Sequence, residues 1–246
     1  MLIYRIKFLS DNNLKIDGRR ALISGGGSGI GYAIAKKLTA AGARAAVADI
    51  SFTGEEEHIF DKHICDVSSG PAVDTLFAEV RQSIGAPDLL VCCAGRGIQE
   101  KLTEGDPQKW SDVIDTNLLG ALRMVRAFVP AMLEAGKGDV VFVSSVAAHK
   151  PHTYGGVYAA TKAALEVVAE TLRLEVLPSV RVTVVAPGVT DTNFFKNTIS
   201  GFQTAESIGY GAVSPDEVAD AVLFALSQPQ GVSLNHITIR PTGQPF

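Results

Sequence analysis

The residues best suited to chemistry lie in the run from Ser144 to Lys162, Ser-Ser-Val-Ala-Ala-His-Lys-Pro-His-Thr-Tyr-Gly-Gly-Val-Tyr-Ala-Ala-Thr-Lys. Tyr158 and Lys162 are spaced i, i+4, which on a helix places them one turn apart on the same face. A free phenol titrates near ~10 and is a poor base at neutral pH, but a neighbouring ammonium favours the phenolate. The spacing therefore predicts a Tyr158 whose pKa is lowered by Lys162. Ser145 closes the apolar, β-like run Asp139-Val-Val-Phe-Val-Ser144, where a strand end can present its hydroxyl to the same point. A substrate oxygen fits between the two hydroxyls, and that is an arrangement for moving a proton to or from an alcohol or a carbonyl. A lone Tyr-x-x-x-Lys is also an ordinary helix face; the serine and the glycine loop upstream weigh against that reading.

These groups need elements to carry them. Arg20-Ala-Leu-Ile-Ser24 reads as a strand, Gly25-Gly-Gly-Ser-Gly-Ile-Gly31 as a tight loop, and Tyr32 to Ala41 as a helix. A glycine loop between strand and helix lets backbone N–H groups approach a pyrophosphate at the positive helix end. A second strand, Arg44 to Asp49, ends in a carboxylate placed to accept both adenosine ribose hydroxyls and to repel a 2′-phosphate. Neither Ser28 nor Ile50 supplies a basic partner for such a phosphate, so NAD is expected and NADP is the alternative. Asp49 could also merely begin a turn. A third strand is expected at Asp61 to Cys65, with room for a short turn or two over Ser51 to Ile59. A helix follows over Gly70 to Ile84, then a strand from Asp88 to Cys93. A long helix starts at Asp106-Pro107 and runs past Asn117 toward Ala135, disturbed at Pro130. Beyond the catalytic run come a strand at Val180 to Val185, a helix opened by a capping box at Ser214-Pro-Asp-Glu217, and a strand at His236 to Arg240. This alternation predicts an α/β fold, one Rossmann-like doubly wound domain of about seven parallel strands with helices on both faces. The domain is expected over 18–246, after an N-terminal extension at 1–17. A mobile, partly apolar substrate loop is expected at about 191–213, carrying Phe194, Phe195, Ile199, Phe202 and Tyr210.

Ser145, Tyr158-Ala-Ala-Thr-Lys162 and the glycines together resemble the short-chain dehydrogenase/reductase family, from about Gly18 to the C-terminus. The resemblance implies that Tyr158 is the general acid/base, that Lys162 lowers its pKa and holds the nicotinamide ribose, and that Ser145 polarises the reacting oxygen. Asn117, in Asp-Thr-Asn-Leu-Leu-Gly120, matches the family's fourth catalytic position, which helps hold a water in a proton path from the lysine. Gly25, Ser28, Gly29, Ile30 and Gly31 would hold the pyrophosphate, Asp66 the adenine amino group, and Val67 would line its pocket. The family's usual Asn-Asn-Ala-Gly is here Cys92-Cys93-Ala94-Gly95, so only a backbone role toward the cofactor is carried over at Cys93, Ala94 and Gly95. Pro187 and Gly188 would abut the nicotinamide, with Thr190 reaching its carboxamide through backbone and Thr192 through its hydroxyl. The short Ser51–Ile59 crossover resembles that of dihydrodiol dehydrogenases. Arg240-Pro-Thr-Gly-Gln244 resembles the ending of the serine and 3-hydroxy acid dehydrogenases, which usually prefer NADP; Asp49 decides for NAD. A homotetramer or homodimer formed through the two long helices is implied.

The expected activity is oxidoreduction between a secondary alcohol and a ketone, with a small-molecule substrate. A catalytically silent NAD-binding sensor or structural protein is the alternative, and a dehydratase or epimerase on the same scaffold a third reading. A dedicated binding protein has no need of Ser145 or Asn117. His149 and His152 lie between Ser145 and Tyr158 and border the expected substrate position, although histidine there is also simply a loop residue. With 46% hydrophobic and 20% charged residues the 246-residue chain reads as globular. Its formal charge of -4 offers no attraction to nucleic acid or an anionic membrane. No apolar run reaches the ~20 residues of a membrane span, and the first ten residues lack a cleavage signal. Cys65, Cys92 and Cys93 read as reduced thiols of a cytoplasmic protein, and no metal-ligand spacing is present.

Overall fold

The computed structural model describes residues 16–52, 59–195, 197–201 and 205–245. Its strands are β1 (Arg20–Ser24), β2 (Arg44–Asp49), β3 (Asp61–Ile64), β4 (Leu89–Cys92), β5 (Gly138–Val143), β6 (Val180–Pro187) and β7 (His236–Ile239). They form one parallel sheet in the order β3-β2-β1-β4-β5-β6-β7. The helices are α1 (Gly29–Ala40), α2 (Gly70–Ser83), α3 (Pro107–Ile114), α4 (Gly120–Glu134), α5 (Gly156–Val176), α6 (Ala205–Ile208) and α7 (Pro215–Leu226). Strands covered on both faces carry apolar residues without alternation, and β5 is accordingly buried along its whole length. One face packs Leu76, Phe128, Met132 and Leu172 of α2, α4 and α5 against the sheet; the other packs Ile34 and Leu38 of α1 with Val218 and Val222 of α7. Ile16, within the expected N-terminal extension, is 1% exposed and belongs to the second of these clusters. Residues 1–15 lie outside the described residues, as do positions 53–58 of the short crossover.

The helix starts follow the sequence signals. Ser214 Oγ accepts from the Glu217 amide at 3.2 Å while Glu217 Oε2 accepts from the Ser214 amide at 2.7 Å, which completes the capping box. Asp106 accepts from the Gln108 amide ahead of Pro107. One expectation needs correction. Helix α4 runs continuously across Pro130; the disturbance lies instead at Asp115–Leu119, a π-helical turn that joins α3 to α4 and contains Asn117. Such wide turns are frequent at functional sites. Here the turn brings Gly120 so close to Val67 that a Cβ would stand 2.7 Å from its methyl carbon.

The N-terminal edge of the sheet is closed by ions. Arg19 reaches Asp88 at 2.9 Å and Asp139 at 2.6 Å, and Arg181 takes the other oxygen of Asp139 at 2.6 Å. At the opposite edge the chain diverges on either side of the β1/β4 boundary, the topological switch point where ligands enter doubly wound sheets.

Candidate active site

Ser24 ends β1 by bonding to the backbone of its neighbour. Its hydroxyl donates to the Val91 carbonyl and accepts from the amides of Cys93 and Ala94 at 3.2 and 3.4 Å. The chain then turns through Gly25 at φ +69°, where a Cβ would lie 2.7 Å from the Ala94 nitrogen. A Cβ at Gly31 would run into the Gly25 carbonyl oxygen. Both positions therefore need glycine, the first for its backbone angle and both for close approach. Ser28 precedes α1 in extended geometry and its side chain makes no capping bond. The first amides of α1 thus face a cavity of about 1000 Å³, and helix N-termini are ready anion sites.

Asp49 borders the same cavity at the end of β2, its carboxylate accepting from the amides of Gly27 at 2.9 Å and Ile50 at 2.7 Å. Asp66, turned by its bonds to Ser68, and Val67 line the next stretch, followed by Cys93, Ala94 and Gly95. Pro187, Gly188, Thr190 and Thr192 form the opposite wall, where the Thr192 methyl sits against Gly29. The glycine loop, the uncapped helix start and the ribose-height carboxylate fit a dinucleotide cofactor along this cleft.

At its far end three of the four expected catalytic residues, Ser145, Tyr158 and Lys162, line the cavity, while Asn117 is buried behind it. Ser145 stands just past β5, its Oγ accepting from the Ala147 amide at 3.1 Å, and lines the cavity together with Tyr158. Tyr158 and Lys162 rise from α5, with Lys162 Nζ 5.8 Å from the phenol ring centre. Nζ donates to the Val143 carbonyl at 2.8 Å, and the residue is 4% exposed. Asn117 projects from the π turn and grips the backbone of Arg96 from both sides: Oδ1 accepts from its amide at 2.8 Å and Nδ2 donates to its carbonyl at 3.0 Å. Nδ2 also reaches Thr161 Oγ1 at 3.1 Å.

The electrostatics depart from the expected lowering of the Tyr158 pKa. Burial pushes the phenol up to about 12, opposed by the nearby Ser145 hydroxyl. Burial also brings the Lys162 ammonium down to about 8, against the pull of Cys93 and Glu166. Desolvation outweighs the proximity of the two groups, because each would carry its charge away from water. The same cause lifts the Cys92 and Cys93 thiols to about 12, so neither is an activated nucleophile.

A family model described as short chain dehydrogenase matches residues 19–201. The chain belongs to the short-chain dehydrogenase family. It has the NAD(P)-binding fold of that family's oxidoreductases. An uncharacterized oxidoreductase of Staphylococcus epidermidis is 31% identical over 239 residues, covering 92% of this chain and 99% of that one. The alcohol dehydrogenase of the archaeon Thermococcus sibiricus, solved with 5-hydroxy-NADP, superposes with a TM-score of 0.83 at 29% identity, covering 93% of this chain and 98% of that one. The 3-ketoacyl-(acyl-carrier-protein) reductase of Brucella melitensis, solved with NADH, gives 0.83 at 26% identity over 93% and 99%.

Within this short-chain dehydrogenase the segment expected to cover the substrate walls the cavity with Phe194, Phe195 and Tyr210. The Phe194 ring centre is 5.6 Å from that of Tyr158. Ser200 anchors the segment through its carbonyl to the Gln99 amide and through its hydroxyl to Glu100 at 2.6 Å. Phe202 lies outside the described residues. His152 lines the cavity but His149 does not, pointing instead to Glu166 and His236. Gln244 went unremarked as a site residue in the sequence: its Oε1 accepts from the Val189 amide at 3.0 Å and so fixes the wall after Gly188. In the sequence Gln244 stands only as the last residue of Arg240-Pro-Thr-Gly-Gln244, five positions past β7, and nothing in that ending points to a bond with Val189.

Proposed function

We propose that the protein interconverts a secondary alcohol and a ketone, using NAD in preference to NADP. The observation that carries the reading is the meeting of the Ser145 and Tyr158 side chains in the wall of one cavity, beside buried Lys162. Two hydroxyls converging there can hold one substrate oxygen, Ser145 by donating to it and Tyr158 by exchanging a proton with it. With its pKa near 12, Tyr158 rests as the acid, ready to protonate a carbonyl oxygen; in the oxidative direction it must first become the base. Lys162, held by Val143, stands ready to stabilise that phenolate when charged. When bound, a nicotinamide dinucleotide takes up or gives back the hydride. Gly25 to Gly31 would hold its pyrophosphate, and Asp49, already oriented by two amides, would accept its ribose hydroxyls and repel a 2′-phosphate.

Exposed Leu119 and Leu122 on the helix past Asn117, together with Val167 on the helix of Tyr158, support assembly into a dimer or tetramer through these faces. Light scattering would test it. No helix among the described residues is long and apolar enough to cross a membrane. A cytoplasmic setting is supported by the three cysteines, which are free.

Initial rates with secondary alcohols, cyclic diols and 3-hydroxy acids, with NAD and NADP in parallel, test the reading. Turnover with NAD that disappears in Tyr158→Phe is expected. NAD binding without turnover across the panel would favour a sensor, and faster turnover with NADP would overturn the role given to Asp49.

A further inference from the structure

Outside the reaction cavity, three chain segments bring metal-ligating side chains to one point. His149 follows the short turn after β5, Glu166 lies one helical turn beyond Lys162 on α5, and His236 opens β7. None of the three lines the cavity. His149 Nε2 is 2.9 Å from Glu166 Oε2, His236 Nε2 is 3.6 Å from Glu166 Oε1, and the two ring nitrogens are 3.5 Å apart. We propose that His149, Glu166 and His236 form a binding site for a divalent transition metal of the zinc class.

The spacing suits such an ion. Ligands about 2.0 Å from a tetrahedral zinc lie about 3.3 Å from one another, and the three observed separations straddle that value. Two imidazoles turning the same nitrogen toward each other and toward one carboxylate form a convergent donor set. If both rings were instead protonated, two cations would face each other across the same short gap. The nitrogen donors favour zinc and its neighbours over magnesium or calcium, which take oxygen ligands. Glu166 is also held as metal-bound carboxylates are: Ser144 Oγ donates to its Oε1 at 2.7 Å, and the side chain is 13% exposed. The histidines are 57% and 38% exposed, which leaves an entry path and a fourth position for water. Ser144 is the neighbour of Ser145, so an ion here would tie β5, α5 and β7 together directly behind the catalytic serine.

The test uses the full chain, freed of any histidine tag and stripped with a chelator, titrated calorimetrically with zinc chloride. One zinc per chain is expected, with binding weakened at least tenfold in His149→Ala and in His236→Ala and about tenfold in Ser144→Ala, the size of effect seen when partners of metal ligands are removed. Because His149 is exposed, its alanine variant retains the fold, which circular dichroism would verify. Crystals grown with zinc should show an anomalous peak between the three side chains. Absence of zinc binding, or binding that persists unchanged in the two histidine variants, would overturn the proposal; the second result would place the metal elsewhere on the chain.

Discussion

Arg19 at the N-terminal edge of the sheet and Lys162 beyond its C-terminal edge are both cations drawn out of water, and their surroundings answer that cost differently. Burial lowers the Arg19 pKa, but Asp139 and Asp88 outweigh it and leave the guanidinium above its ordinary value. Lys162 has a backbone carbonyl as its hydrogen-bond partner and only distant negative charge, so burial brings it down to about 8. The first edge is satisfied and inert. The second holds a proton loosely, beside a phenol that holds one tightly. The contrast teaches that burial by itself does not mark a working site; burial without a carboxylate in contact does.

The largest test of this contrast removes the phenol oxygen. Tyr158→Phe should lower kcat by about a thousandfold, within the range for general acid–base groups, and leave the thermal midpoint nearly unchanged. Asp139→Ala should do the reverse. It leaves Arg19 with Asp88 and Arg181 with backbone carbonyls alone, and should cost about 3 kcal/mol of stability in denaturant titration, while activity per folded molecule holds. If Asp139→Ala spares stability, the closed edge is ornamental and the comparison fails. Asp49→Ala should shift the ratio of kcat/KM for NAD over NADP toward NADP by about tenfold, the scale of one lost polar discrimination worth about 1.4 kcal/mol. The last test is a slope. Between pH 8 and 10.5 an unfolded lysine keeps the proton that folded Lys162 has released, so wild-type stability should rise with pH there relative to Lys162→Met. Parallel curves for the two proteins would show that Lys162 is not depressed.

Local chemistry was legible in the sequence; cross-chain assembly was not. The β1–loop–α1 unit, the capping box at Ser214 and the Tyr158–Lys162 helical pair depend on residues a few positions apart, and periodicity and spacing report such relations directly. The direction of the Tyr158 pKa was misjudged because it is decided by how much protein covers the phenol, which spacing does not encode. The sequence points to Pro130 as the place where the long helix is disturbed because proline is the usual breaker, yet the helix accommodates it, while Asn117 makes three hydrogen bonds from the wide turn. His149 and His236, separated by 87 positions, meet only because α5 packs beside β5 and β7 joins β6.

The wide turn at Asp115–Leu119 also bears on how this chain can change in length. It stores one more residue than an ordinary helical turn would use. Losing a single residue there would restore regular winding and leave Met124, Phe128 and Met132 on their buried face of α4, because a wide turn absorbs its extra residue locally. What the shortened helix would give up is the position from which Asn117 holds both backbone groups of Arg96. A deletion of one residue should thus spare the packing of α4 against the sheet and release the chain at Arg96.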